Sequence, residues 1–407
     1  MDKRQVQLLE LVDALQKENL QKRDIVLPAK CITMVNGKII VTNNADSEAL
    51  KKILNECGIG HSELDNGIKI MELECLDVMH THLMDKLSIP ARYYNRMLSI
   101  EDKKLLDTNV TYWLQESSSN HLLRCFIDKE EKSGYARALL SDRFKVIDNY
   151  DILLTALSAI KESGLNIQID TTDQRGQVGC DLTEKSMYLR FVCPDVQIDS
   201  PELLKIYRPD GLPNEVGNGI ISGFVIKNSE VGMGQFSISP RAKILACKNG
   251  MVNTKDDFSK THLGAKMTEY SSIEWSENTK QKNLELIMAQ ITDAIKTYTS
   301  QEYLGNTVAH FIEKNKPLEH PLDCVKAVTN SLSMSEEKAN DILNFFIKSG
   351  DMSAFGVTQA ITLYAHTKAN ADEQYDLEYK AVDVFNNIDS FDKPLPKKTV
   401  KTQSELN

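Results

Sequence analysis

Two stretches of this chain combine charged side chains with turn residues in a pattern that can bind phosphate or a divalent cation. The first, GYARALLSDRFKVIDNYD at 134–151, places Arg137 and Arg143 beside Asp142 and Asp148 at a predicted strand-to-helix transition. Arginine pairs with phosphate oxygens, and carboxylates hold hard cations such as Mg²⁺. The ordinary alternative is a turn in which polar side chains cap backbone amides while the arginines pair with the aspartates.

The second stretch, FVIKNSEVGMGQFSISPR at 224–241, joins two predicted strands through Lys227, Asn228, Glu230 and two glycines. It is not a Walker phosphate loop, because no Gly-Lys-Ser/Thr follows, and it is not a dinucleotide fingerprint, because a strand follows instead of a helix. Glycine lets the backbone bend sharply or approach a ligand closely. A glycine-bearing hairpin or bulge is the alternative interpretation.

Downstream, Arg241, Lys243 and Lys248 alternate with apolar residues in PRAKILACKNGMV. One strand face carrying three positive charges can follow a sugar-phosphate backbone, although the same pattern is typical of the solvated side of a half-buried strand. His262, in THLGA, is a candidate metal ligand or general base, with a structural histidine as the alternative. The pair Tyr93-Tyr94 after Pro90 is suited to stacking on bases, and packing at a helix start explains it equally well.

The composition limits the kinds of partner. A formal net charge of -10 argues against a protein that coats duplex DNA through its overall field. Residues 134–270 contain 16 basic and 17 acidic side chains, so most of the negative charge lies on the flanks and a nucleic-acid site belongs to the middle. The eight cysteines include no C-x-x-C pair, and no long uncharged stretch occurs. These features predict a cytoplasmic protein with no membrane partner.

The elements that must position these residues predict an α+β fold. A central mixed or antiparallel sheet is expected between a helical N-terminal segment and a helical C-terminal unit. The expected divisions are a mostly helical segment with a short hairpin at 1–115, a β-rich domain at 116–275, six helices at 276–391 and a disordered tail at 392–407. The short strands that follow residue 121 are expected to share one sheet.

Local signals predict the ends of several elements. Asn36-Gly37, between two apolar stretches, is typical of a tight hairpin. Asp46 or Ser47 is the expected cap of a helix at 47–56. A helix at 150–161 is expected to begin at Asp148-Asn149 and to end at Gly164.

Five segments in order, GYARALLSDRFKVIDN, DLTEKSMYLRFV, GFVIKNSEVGMG, CKNGMV and THLGA, resemble the phage/plasmid-like family known as domain of unknown function 932. The similarity spans about 71–264, and MSAFGVTQAITLYAHT at 352–367 is similar to that family's C-terminal element. The resemblance implies a genetic context of phages, plasmids and integrating elements, near genes for single-strand binding and strand annealing. Because the family has no assigned activity, the resemblance does not indicate a reaction.

Three functions follow as hypotheses. The first is a non-enzymatic protein of DNA metabolism without a cofactor, which binds single-stranded DNA or recombination intermediates. Its candidate residues are Arg137, Arg143, Lys227, Asn228, Arg241, Lys243 and Lys248. The second is a metal-dependent phosphoryl-transfer enzyme that holds Mg²⁺ or Mn²⁺ through Asp142, Asp148, Glu230 and His262. The third is a mobile-element protein that binds and inhibits a host defence or replication protein. A homo-oligomer and a host or phage protein partner remain open.

Overall fold

The structure is a computed structural model. It describes residues 3–44, 46–58, 70–131, 133–170, 179–204, 219–244, 250–252, 258–260, 277–368 and 370–395. Within these ranges the chain forms helices together with one mixed and one antiparallel sheet, which confirms the predicted α+β class.

The first part of the chain contains more strands than its sequence predicts. Its elements are β1 (Lys3–Val6), α1 (Leu8–Gln21), β2 (Lys22–Pro28), β3 (Ile32–Val35), β4 (Lys38–Val41), α2 (Glu48–Cys57), β5 (Met71–Cys75), α3 (Asp77–Lys86), α4 (Ala91–Ser99) and α5 (Lys104–Glu116). The predicted hairpin is present, because Asn36 and Gly37 adopt φ of 52° and 76° between β3 and β4. The predicted cap of α2 is also present, since the Ser47 hydroxyl accepts a hydrogen bond from the Leu50 N–H.

The middle of the chain supplies the longest strands. Its elements are β6 (Asn120–Asp128), β7 (Ser133–Ser141), α6 (Asn149–Ser163), β8 (Gln168–Ile169), β9 (Cys180–Leu182), β10 (Met187–Asp199), α7 (Pro201–Leu204), β11 (Gly219–Asn228), β12 (Phe236–Ile244), β13 (Gly250–Val252) and β14 (Phe258–Lys260). Helix α6 begins after Asp148 and ends at Gly164, as predicted, with Gly164 in the left-handed region at φ 69°.

Six helices complete the chain, in agreement with the sequence. They are α8 (Glu277–Tyr298), α9 (Gln301–Lys314), α10 (Pro321–Ser331), α11 (Glu336–Ser349), α12 (Ala354–His366) and α13 (Ala371–Asn386). All thirteen residues of α12 are buried, so this helix lies in the interior with no solvent-facing side. Residues 396–407, the greater part of the predicted tail, lie outside the described residues.

The strands form two sheets. The six-stranded sheet has the order β2-β6-β7-β5-β4-β3, with β5 and β7 parallel. The eight-stranded sheet has the order β1-β9-β10-β11-β12-β13, with β8 on β10 and β14 on β12. The prediction that the strands after residue 121 share one sheet is wrong, because β6 and β7 pair with N-terminal strands. The predicted boundary near residue 115 therefore falls within the six-stranded sheet.

The two faces of the eight-stranded sheet differ in polarity. Met187, Leu189 and Phe191 of β10 face one way into an apolar core shared with α1, α6 and α8. Tyr188 and Arg190 alternate with them and face the other way, because successive side chains of a strand point to opposite faces. Helix α13 covers this second face, where Tyr188 packs with Tyr375. Charged side chains are thereby enclosed between the sheet and a helix.

Candidate functional site: two buried charge clusters

The stretches around residues 140 and 230 meet in the structure. The side-chain nitrogen Nδ2 of Asn228, at the end of β11, donates hydrogen bonds to the Ile147 carbonyl (3.0 Å) and to Oδ1 of Asn149 (2.8 Å). Oε1 of Glu230 accepts a 2.6 Å hydrogen bond from the Asn149 N–H at the start of α6. The turn that follows β11 is therefore attached to the first turn of α6.

Arg124, on β6, is the centre of the charges at this junction. Its side chain is fully buried, and it donates to both carboxylate oxygens of Asp24 at 2.8 and 2.7 Å. The same guanidinium lies 3.1 Å from Asp148 and 3.4 Å from Glu230. One arginine thus pairs with three carboxylates that come from β2, from the start of α6 and from the turn after β11.

Arg137, on β7, completes the junction. Its guanidinium pairs with Glu230, lies 3.9 Å from Glu18 of α1 and is centred 5.0 Å above the Phe126 ring. Lys22 pairs with Asp148 from the other side. These residues link one face of the six-stranded sheet to the turn that follows β11 of the eight-stranded sheet. We call them the inter-sheet cluster, which comprises Glu18, Lys22, Asp24, Arg124, Arg137, Asp148 and Glu230.

Burial and pairing act in opposite directions on the carboxylates of the inter-sheet cluster. Burial alone would raise the pKa of Asp148, yet Arg124 and Lys22 hold that pKa below its usual value. Burial raises the pKa of Glu18, and the nearby Arg137 does not compensate for it. The cluster contains four carboxylates and three cations, so the protonation of Glu18 would balance its charge.

The residues predicted to hold a metal do not form one site. Asp148 and Glu230 both pair with Arg124, so a guanidinium already neutralises the charge that would attract a cation to them. Asp142 lies beyond the end of β7, 3.5 Å from the Ser141 hydroxyl, and its charge acts on Lys86 and His121. His262 lies outside the described residues. No group of three or more potential metal-ligating side chains was found among the residues that the structure describes.

A second set of buried charges lies under α12 and α13. Arg241 and Lys243 of β12 both pair with Asp170, which follows β8, and Arg190 of β10 pairs with Asp181 of β9. Glu378 of α13 accepts a 2.8 Å hydrogen bond from Gln374 and lies 3.2 Å from His366 at the end of α12. We call this group the sheet–helix cluster, which comprises Asp170, Asp181, Arg190, Arg241, Lys243, His366 and Glu378.

Two carboxylates of the sheet–helix cluster, Glu378 and Asp170, have lowered pKa values despite their burial. Burial opposes ionisation of Glu378, but His366, Arg190 and Arg241 lower its pKa to about 2. Burial likewise opposes ionisation of Asp170, but Arg241 and Lys243 hold its pKa far below the usual range. The interior here is charged and internally compensated.

The structure does not place the predicted nucleic-acid residues on a common surface. Arg137, Arg241 and Lys243 are at most 4% exposed, so the prediction that a basic strand face follows a phosphate backbone is wrong for these three side chains. The alternative of a solvated strand face is also wrong for Arg241 and Lys243, because both side chains are buried and α13 covers that face.

The remaining predicted nucleic-acid residues are dispersed. Lys227 is half-buried, with its ammonium group 4.7 Å from the centre of the Tyr375 ring and 5.5 Å from that of Tyr188. Asn228 is fully buried, and Arg143 is exposed. Lys248 lies outside the described residues. Of this set only Arg143 is both described and exposed to solvent.

Sequence reasoning missed the arginines on which both clusters depend. Arg124 and Arg190 each stand alone within an apolar strand, in HLLRCFI and MYLRFV. A charge inside an apolar run indicates an ion pair in the interior, because an isolated buried charge is strongly unfavourable. The sequence alone could therefore have indicated that Arg124 and Arg190 are paired in the interior. Their partners Asp24 and Asp181 are known only from the strand pairing.

An exposed aromatic surface lies on α4 and α5, away from both clusters. Tyr93, Tyr112 and Trp113 are 43%, 56% and 48% exposed. The rings of Tyr112 and Trp113 meet edge to face with their centroids 5.2 Å apart. Tyr94, the other half of the predicted stacking pair, is instead buried, with its hydroxyl 2.8 Å from Nδ1 of His80.

Comparisons with protein-family models, curated proteins and solved structures found no match. The resemblance to the phage/plasmid-like family therefore stays a prediction from the sequence motifs. Among the helices in the described part of the chain, none combines the length and apolar character needed to cross a membrane.

Proposed function

We propose that this protein is a non-enzymatic accessory protein of DNA metabolism, of phage or plasmid type, which binds single-stranded DNA in the cytoplasm of a bacterial host. The observation that carries the proposal is the exposed aromatic surface of α4 and α5. Tyr93, Tyr112 and Trp113 offer ring faces and edges to solvent. Proteins that bind single strands without sequence preference stack bases on such rings.

Basic side chains accompany these rings. Arg92 and Arg96 are exposed on α4, and Lys104 is exposed at the start of α5. Helix α4 packs against α5, so the basic and aromatic residues lie on neighbouring helices. We define the aromatic–basic surface as Arg92, Tyr93, Arg96, Lys104, Tyr112 and Trp113. Phosphates pair with the cations while bases stack on the rings, which suits a single strand because its bases are accessible.

The buried clusters support a binding role over a catalytic one. The charged residues of the motifs at 134–151 and 224–241 are largely engaged in internal ion pairs. Such pairs fix how β7, α6 and β11 meet, which is a structural role. The sequence resemblance, with its context of single-strand binding and annealing genes, points to the same class of function.

The test is binding of a labelled single-stranded oligonucleotide to the full chain at low salt, measured by fluorescence anisotropy. Stacking of a base on an aromatic ring contributes about 1–3 kcal/mol, so Trp113→Ala is expected to weaken binding about 5- to 150-fold. Exchange of Arg92 and Arg96 for glutamate should weaken binding and reduce its dependence on salt. Leu286→Ala on α8 and Lys348→Glu on α11 are matched exposed controls that should bind like the wild type.

The same assay separates the competing functions. Absence of binding at low salt, or equal binding by the Trp113 variant and the wild type, would refute the proposed surface. Cleavage of the oligonucleotide when Mg²⁺ or Mn²⁺ is added would support the metal-dependent enzyme instead. Capture of one host protein by a chain that binds no DNA would support the inhibitor.

A further inference from the structure

The sheet–helix cluster has hydrogen-bonding atoms that its own ion pairs do not use. Arg190 binds Asp181 through one terminal nitrogen, and Arg241 binds Asp170 in the same way. Across the described ranges, Nε and Nη2 of Arg190 and Nε of Arg241 have no hydrogen-bond partner. Oε2 of Glu378 also has none there. The three side chains are 5%, 4% and 0% exposed, so bulk solvent does not reach these atoms.

The two arginines lie on the same face of the sheet, because successive side chains of a strand alternate between faces. Arg190 on β10 and Arg241 on β12 flank β11, where Gly223 is the register partner of Arg241 and Val225 that of Arg190. A side chain cannot replace the hydrogen of Gly223, because a Cβ atom there would lie 2.2 Å from the Phe191 carbonyl oxygen. Glu378 faces this region from α13, and both guanidinium groups stabilise its charge.

The number and type of these atoms define a ligand. An unpaired buried donor costs about 1–3 kcal/mol, so donors and an acceptor without partners on one face of the sheet call for a partner that the described residues do not supply. That partner must supply several acceptor oxygens and one O–H donor. Hydrogen phosphate has both, whereas sulfate at neutral pH has acceptors only. The three cations of the cluster are balanced by its three carboxylates, which also favours an oxyanion that retains protons.

We propose that the sheet–helix cluster is a buried binding site for a protonated oxyanion of the hydrogen phosphate type, either free or at the end of a small phosphomonoester. The ligand's oxygens accept hydrogen bonds from Arg190 and Arg241, and its P–OH group donates one to Oε2 of Glu378. This site is separate from the aromatic–basic surface and does not depend on DNA binding.

The test uses the full chain, dialysed extensively against phosphate-free buffer. Its thermal unfolding is followed with inorganic phosphate, with sulfate at matched ionic strength and with glycerol 2-phosphate. Phosphate is expected to raise Tm in a saturable way, with an apparent affinity at least about 10-fold above that of sulfate, a difference of about 1.4 kcal/mol. A rise with inorganic phosphate alone identifies the free ion, and a rise with glycerol 2-phosphate extends the site to monoesters.

A variant supplies the control for specificity. Glu378→Gln replaces one acceptor with an amide that can donate, so the preference for phosphate over sulfate should disappear or reverse. Glu230→Gln makes the same chemical change in the inter-sheet cluster and should retain the preference.

Two results from the wild type alone decide the proposal even if Glu378→Gln does not fold. Equal responses to phosphate and sulfate would overturn it. So would the absence of any response together with the absence of phosphate released on denaturing undialysed protein, because bound water then remains as the partner. Stoichiometric release of phosphate from protein whose Tm no longer responds would support a permanently occupied site.

Discussion

Both clusters pair charged side chains in the interior, but they differ in the type of hydrogen-bonding atom that is left without a partner. In the inter-sheet cluster, Arg124 serves three carboxylates, and an unpartnered atom among the described residues is an acceptor, Oε2 of Glu18. In the sheet–helix cluster, two cations share Asp170, and the atoms without a hydrogen bond include three guanidinium nitrogens. A surplus of acceptors is relieved by taking up a proton. A surplus of donors is relieved by a partner that supplies acceptor oxygens.

The largest expected loss of stability comes from removing the cation that pairs with the most carboxylates. Arg124→Met leaves the buried Glu230, the half-buried Asp148 and Asp24 with reduced or no compensation, and should lower the free energy of unfolding by about 3–5 kcal/mol. Lys243→Met leaves Arg241 on Asp170, so its cost should be smaller, about 1–3 kcal/mol. Urea unfolding of both variants measures the difference, with Arg92→Met as an exposed control. Equal losses in the two buried variants would contradict the comparison.

The acid response should reveal the compensated carboxylates of the sheet–helix cluster. The folded pKa of Glu378 is about 2, below its usual value of 4.5. Its contribution to stability is therefore present above pH 4.5 and is lost as pH falls through about 2, a change of about 3 kcal/mol. Unfolding free energies of Glu378→Gln and wild type, measured by urea between pH 5 and pH 2, should converge as the pH falls. Parallel curves would show that the His366 and arginine contacts do not stabilise its charge.

The smallest expected effect on stability comes from replacing Glu18, and it should be a gain instead of a loss. Burial raises the pKa of Glu18, so the stability it contributes is present at low pH and is lost as pH rises through the folded pKa. Glu18→Gln keeps the shape of the side chain without its charge and should stabilise the protein at pH 7 by about 1 kcal/mol or less. The advantage should vanish near pH 4. A destabilised variant at pH 7 would mean that the contact with Arg137 outweighs the cost of burial.

Local patterns predicted several elements correctly, and each has a local cause. The Asn36-Gly37 hairpin, the Ser47 cap of α2 and the Gly164 end of α6 depend on residues within a few positions of one another. The six C-terminal helices follow from apolar spacing in the same way. Of the candidate site, the sequence identified the charged turns around residues 142 and 230 as segments whose side chains can bind phosphate or a divalent cation.

The sequence by itself determined the ends of the elements that carry clear local signals, such as the β3–β4 hairpin and α6, and it shows arginines within apolar strands, because these features depend on neighbouring residues. Only the tertiary structure decided that β6 and β7 join N-terminal strands, and that Arg241 and Lys243 face the interior. The alternation of a strand specifies two faces but not which of them another element covers. Helix α13, more than 100 residues further along the chain, covers a strand face that the sequence predicted to bind DNA, and so makes it part of a buried charge cluster.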